Sequence, residues 1–196
     1  VINENLRREL VEMRAEDKRV RQELLEAGEL GGPYVPRMEA LHKRNAARLR
    51  ELIAAYGWPD EEIAGKDGAE AAWLVAQHAV GEPAFQREAL RLLRAREPEK
   101  RVPRWHGAYL DDRISLHEGR PQRYGTQWVD DPVDGRTRPW TLAEPDRVNQ
   151  FRAEVGLGPL AAVPEPGPTL PPQDQRKLKE NQEWWEHWLL DKGWRS

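Results

Sequence analysis

The stretch "AWLVAQHAV", residues 72–80, places one imidazole, His78, among Trp73, Leu74, Val75, Ala76, Ala79 and Val80. Histidine titrates near neutrality and moves protons readily, so an imidazole on an apolar face is a candidate general acid or base. It is equally a candidate core residue whose two ring nitrogens need only hydrogen-bond partners. Other helical stripes carry similar exceptions. Positions 6, 10, 13, 17, 20 and 24 form one face, and position 17 is Asp17; positions 38, 42, 45, 49, 52 and 56 form another, which includes His42 and Asn45. Trp105, Tyr109, Asp112 and Leu116 share a third face, with His106, Leu110, Arg113 and His117 beside it. Burying such groups without partners costs on the order of 2–7 kcal/mol each, so they are expected to meet one another or water in a polar pocket between helices.

The segment "GRPQRYGTQW", residues 119–128, alternates Gln122, Tyr124, Thr126 and Trp128 with Arg123, Gly125, Gln127 and Val129, the period of a strand. As the wall or lid of that pocket it would supply Gln122, Tyr124 and Gln127, with Gly125 admitting a ligand or another strand. The expected chemistry is acid–base catalysis of a hydrolase-like kind on a small molecule or peptide. His78 is the acid or base, its tautomer set by Asp112 or Asp17, and Tyr124 orients the substrate or stabilises developing charge. Arg113, Gln122, Gln127, Asp17 and Asn45 are the expected substrate-binding residues, Arg113 gripping an anion through its fork. Bland readings compete: Asp17 pairing with Arg21 four residues on, His42 half-exposed, Asp111 to Arg113 a solvated turn, and His106, His117 and His187 on the surface.

Other chemistries fit less well. The chain has no Cys, which removes thiolate catalysis, disulfides and cysteine–zinc sites, and its two serines are Ser115, inside a helical pattern, and Ser196, the last residue. "GELGG" and "AGKDG" lack the spacing of a phosphate loop, and no HExxH occurs. No cofactor and no metal are expected in the favoured reading. A non-catalytic module that binds an anionic or amide ligand is one alternative. A metal-dependent enzyme using His42, His78 and Asp17 or Asp112 is another, although these positions follow no recognisable ligand spacing.

The elements that must carry these residues are mostly helices. Apolar periodicity predicts helices over 3–27, 36–56, 68–80, 82–96 and 104–118, punctuated by Gly28, Gly31, Gly32 and Pro33, by "GWPDEEIAG", by Pro98 and by Gly119. "RTRPWTL" is a second short strand, confined to an edge by Pro139, so one hairpin spans about 122–142. Pro145 opens a helix to about Val155, with Gly156 as its cap. A Pro-rich linker at 158–173 leads to a helix at 174–193 carrying Trp184, Trp185 and Trp188 on one side. The expectation is mainly α: a compact helical domain over 1–157 with one hairpin, then the linker and the Trp-rich helix. That helix packs back on the domain or joins two copies in a homodimer.

Composition narrows the partners. Thirty-one basic and 34 acidic side chains are interspersed for a net charge of −3, which leaves no one-signed stripe for nucleic acid or anionic lipid. No apolar run approaches the ~18 residues of a membrane span. A cytoplasmic protein is expected. A chain that opens on Val1 suggests a trimmed N-terminus, with room for a leader upstream.

Five blocks, "YGWP" (56–59), "AWLVAQHA" (72–79), "AYLDDR" (108–113), "PQRYGTQ" (121–127) and "RAEVGLGPL" (152–160), give the chain a resemblance over roughly residues 5–160. It resembles a bacterial family of small helical proteins of unknown function, with QHA, YLxDR and QxYGTQ elements in that order. The resemblance implies that His78, Asp112, Arg113, Gln122, Tyr124, Gly125, Thr126 and Gln127 stand at motif positions. It brings no activity with it.

Overall fold

The computed structural model describes residues 1–30 and 34–195; the expected helix stop at Gly31, Gly32 and Pro33, and Ser196, lie outside the described residues. The fold is mainly α, with one short antiparallel hairpin. The chain gathers into two compact units, Val1–Leu110 and Asp111–Ser196.

The first unit holds α1 (Glu4–Glu26), α2 (Pro36–Tyr56), α3 (Glu61–His78), α4 (Pro83–Arg96) and the start of α5 (Arg104–His117). Asn3 caps α1 by accepting the Leu6 amide hydrogen, and the stripe Leu6, Leu10, Met13, Asp17, Val20 and Leu24 is buried as its spacing predicts. Pro36 and Pro83 occupy first-turn positions, where the missing N–H costs nothing. Charged pairs set the register between helices. Glu9–Arg48, Glu16–Arg44 and Glu23–Arg37 run in opposite chain directions, so α2 returns antiparallel along α1. The Asn3 N–H to Ile63 carbonyl bond (2.7 Å) and the Arg7–Asp67 pair (2.7 Å) run in the same direction, so α3 lies parallel to α1. Gly68 permits that approach, because a Cβ there would stand 3.4 Å from the Arg7 Cα and 3.0 Å from the Ala64 Cβ.

Helix α3 begins well before the apolar run that announces it. Asp60 accepts the amide hydrogens of Glu62 and Ile63, and the helix then breaks once at Gly65, whose φ of +66° suits glycine. The polar first turns carry no apolar stripe, which is why periodicity places the start late.

The second unit runs from Asp111 through β1 (Trp128–Asp130), β2 (Thr137–Pro139), a single 3-10 turn at Pro145–Arg147, α6 (Val148–Glu154) and α7 (Pro172–Asp191). Trp128 pairs with Pro139 and Asp130 with Thr137 in the antiparallel hairpin. The expected strand over 122–129 is corrected: pairing in the hairpin starts only at Trp128, and residues 122–127 form a loop touched by one bridge, Gln122 to Leu142. A buried carboxylate, described below, draws the backbone of that loop inward and overrides the two-residue alternation. The Pro-rich segment has no helix or strand, yet the Gly167 N–H reaches Asp134 (2.7 Å) and the Leu170 N–H reaches the Val133 carbonyl (2.9 Å). Beyond it, Trp188, Leu189 and Trp194 are buried. The Trp194 ring meets His117, and the Arg195 guanidinium caps the carbonyls of Leu116 and His117. Among the described residues, no helix is long and apolar enough to cross a membrane.

Candidate functional site

Three of the polar exceptions converge in the first unit. Antiparallel α1 and α2 bring Asp17 opposite His42, and parallel α1 and α3 bring it opposite His78, the last residue of α3. The Asp17 Oδ2 atom lies 2.8 Å from His78 Nδ1 and 2.9 Å from His42 Nε2. The two imidazoles are 5.0 Å apart, and the Tyr34 hydroxyl closes on His42 Nδ1. Below them Val20, Leu24, Met38 and Leu41 form an apolar cluster against which Leu30, Tyr34 and Val35 pack. Asp17 and His42 are buried, whereas the His78 side chain keeps 26% of its surface open to solvent. The reachable group is therefore His78.

The electrostatics follow from this packing. Burial works to raise the Asp17 carboxyl, but the imidazoles of His42 and His78 overcome it and hold the group well below the usual carboxylate range. An ionised Asp17 accepts Nδ1–H from His78, which fixes the tautomer and leaves Nε2 as the basic atom. His42 differs. Its Nε2 is within ion-pair distance of Asp17, yet it is buried without a hydrogen-bond partner among the described residues. One turn along the same face, the Asn45 amide nitrogen is likewise buried and unpartnered among the described residues.

Several expectations change here. The oxygen expected to pair with Arg21 faces two histidines instead, His42 is buried rather than half-exposed, and His78 is partly open rather than fully enclosed. Tyr56, on the expected inner face of α2, is exposed. His106 and His117 are buried, not on the surface, and burial lowers each to about 3, so both stay neutral. The Arg113 and Arg195 charges add to the effect at His117. His106 stacks on Trp73 with ring centroids 4.7 Å apart, and its carbonyl accepts the Trp73 indole N–H. His187 is exposed as expected.

The remaining expected site residues belong to the second unit, where they organise the loop 122–127. Asp112 is fully buried; its Oδ1 accepts the N–H groups of Arg123 (2.8 Å) and Tyr124 (3.0 Å), and its Oδ2 accepts the N–H and hydroxyl of Thr126. Burial pushes this carboxyl upward, and those hydrogen bonds oppose the push. Of the two aspartates offered for fixing His78, Asp17 is the one in contact, and Asp112 is engaged with backbone. Gln122, also fully buried, donates to the carbonyls of Gln127 and Trp140 and accepts the Gln127 N–H. Gln127 accepts from Arg113 and donates to the Thr126 hydroxyl. The Tyr124 carbonyl accepts from Arg152, which also holds the Gly158 carbonyl. At Gly125 the close approach comes from Leu160, Leu142 and Val148. These residues thus build one braced loop, and the substrate-binding roles expected for Gln122 and Gln127 compete with hydrogen bonds already made.

A family model matches residues 4–163, and its description is a family of unknown function, DUF6624. The chain belongs to that family. The match covers the span of the sequence resemblance and stops where the Pro-rich segment continues, so both units contribute to the family domain. No curated protein and no solved structure matches the chain.

Two positioning residues escape the sequence reading. Tyr34 follows a glycine–proline break and belongs to no periodic pattern, so nothing in its context marks it. Gln86 was findable: it shares the buried face of α4 with Phe85, Ala89, Leu90 and Leu93, the same polar exception that singles out His78. Its amide donates to the carbonyls of Ala76 (2.7 Å) and Gln77 (2.9 Å) and so caps the end of α3 that presents His78.

Proposed function

We propose that the chain is a small hydrolase-like enzyme of the cytoplasm, acting on a small molecule or peptide, whose reactive centre is Asp17, His42 and His78. The observation that carries this reading is one buried carboxylate oxygen within 2.9 Å of two imidazoles, one of them partly open to solvent. A structural ion pair has no need of the second imidazole or of an opening. In this reading Asp17 holds the His78 Nδ1–H, and Nε2 takes a proton from water as it attacks an acyl carbon, then returns it to the leaving group. His42, backed by Tyr34, keeps Asp17 ionised. The buried Asn45 amide, one turn away, is suited to receive a substrate oxygen. The cytoplasmic placement rests on the absence of cysteine, and the Trp-rich α7 is the proposed homodimer surface.

A panel of chromogenic acyl esters, anilides and short peptides tests the reading against His78→Ala. The expected result is turnover of at least one substrate by the wild type, with loss of at least about 10²-fold in the variant. A panel cleaved no faster by the wild type than by the variant would overturn it. If wild type and variant differ in ligand affinity alone, the centre belongs to a binding module.

A further inference from the structure

Proton transfer through His78 asks of His42 only that it keep Asp17 ionised, and the rest of the His42 geometry has no part in that step. Its Nε2 is buried and unpartnered among the described residues, although Asp17 Oδ2 is only 2.9 Å away, and its Nδ1 is taken by the Tyr34 hydroxyl. In the tautomer whose Nδ1–H goes to the Tyr34 hydroxyl, the Nε2 lone pair faces the carboxylate oxygen and the two repel. Yet the residue is 8% exposed, and it follows Leu41 of the apolar cluster directly in the chain. A cation between the two atoms removes the conflict.

We infer that Asp17, His42 and His78 together bind one divalent first-row transition ion, a site of two imidazoles and one carboxylate with Tyr34 orienting His42 from behind. The inference rests on reading this cluster as the reactive centre, and it names the ion that centre would use. One ligand atom from each of the three residues lies within 4.8 Å of the others. Ions of this class take nitrogen at about 2.0–2.1 Å and carboxylate oxygen at about 2.0–2.2 Å, which sets ligand atoms roughly 3.3 Å apart around a tetrahedral centre. Binding therefore parts Asp17 Oδ2 from each imidazole by about half an ångström. Imidazole donors favour zinc, cobalt, nickel or iron(II) over magnesium or calcium, whose ligands are oxygens. Three protein ligands would leave further coordination positions for water or substrate, and one of the three, His78, has 26% of its side chain exposed. The set matches that of ions that activate water as a nucleophile, so Asp17, His42 and His78 would hold the ion and His78 would serve as its ligand instead of as the base. Tyr34 does for His42 what an outer hydrogen-bond partner does for a metal-bound histidine, holding the ring and its tautomer.

The test is calorimetry of tag-free, chelator-treated full chain titrated with zinc chloride, and the visible spectrum of the same protein titrated with cobalt(II). The expected result is one zinc per chain, a cobalt d–d band, and at least a hundredfold weaker binding in His78→Gln. That variant alters the most open ligand and leaves the core intact. Tyr34→Phe is expected to weaken binding about 10- to 100-fold while keeping all three ligands. Wild-type binding no stronger than that of His78→Gln, or no binding at all, overturns the metal site. Hydrolysis that persists in chelator-treated protein overturns the metal's part in the reaction and leaves the acid–base reading standing. One-to-one zinc binding without turnover of any panel substrate has the opposite meaning: the site stands and the hydrolase reading falls.

Discussion

Asp17 shows how a side chain's partners, and not its position on a helix wheel, decide its character. A carboxylate this buried persists ionised only while the two imidazoles face it. Asp17→Ala leaves His42 and His78 without that partner and is expected to destabilise the first unit by about 3 kcal/mol, measured by urea unfolding. A change below about 0.5 kcal/mol, the size of an ordinary surface substitution, would mean that the cluster contributes nothing to folding. Tyr34→Phe removes one neutral hydrogen bond and should cost only about 1 kcal/mol, which leaves a folded protein for the metal titration.

Among the elements, the loop 122–127 depends most on one distant group. Asp112 stands on α5 and gathers the N–H groups of residues 123, 124 and 126, so a single carboxylate takes the place of a strand partner. Asp112→Asn turns an NH₂ toward those N–H donors. The expected cost is about 2–3 kcal/mol, with loss of hydrogen-exchange protection at the Tyr124 and Thr126 amides. Protection unchanged at both amides would show that the loop holds itself. Gly125→Ala acts on the same loop from outside: φ there is +65°, and a Cβ would stand 2.8 Å from Leu160 Cδ1. A loss of at least about 2 kcal/mol is expected, read from the urea midpoint.

Across both units, buried histidines make the fold sensitive to acid. His106 and His117 are neutral when folded, each lowered to about 3 from 6.5. Their unfolded forms bind a proton as pH falls through about 6.5, while the folded forms do not until about 3. Stability is therefore complete above that upper value and declines through the window, each histidine removing up to about 1.4 kcal/mol per pH unit. Asp17 adds to this lower down: its folded value is depressed, so its contribution is present above the unfolded carboxyl value and is lost as pH falls below it. The melting temperature should drop steadily from pH 7 to pH 4, and His106→Phe should flatten the slope. A profile of equal slope in the variant would place His106 in the folded protein as a titrating group.

Much of this was legible in the order of residues. The stripe of α1, the prolines that open α2 and α4, and the limits of α5 follow from local periodicity and backbone chemistry, and the observed helices keep them. The polar exceptions Asp17, His42, Asn45 and His78 also stood out, because a hydrophilic side chain on an apolar stripe is visible without coordinates. Their pairing was not visible. Asp17 meets His78 across 61 positions only because α1 and α3 run parallel, and that choice is made by Gly68, by the Arg7–Asp67 pair and by the packing of apolar faces. Alternation misread residues 122–127 for the same reason: Asp112, a helix residue remote from any turn signal, supplies the hydrogen bonds that a neighbouring strand would have supplied. Short-range pattern thus left the buried His106 and His117 on the surface, while it marked Asp17, His42 and Asn45 as groups that turn inward. Which of them touch was decided by the register of whole helices, a property of distant contacts that no window of sequence contains.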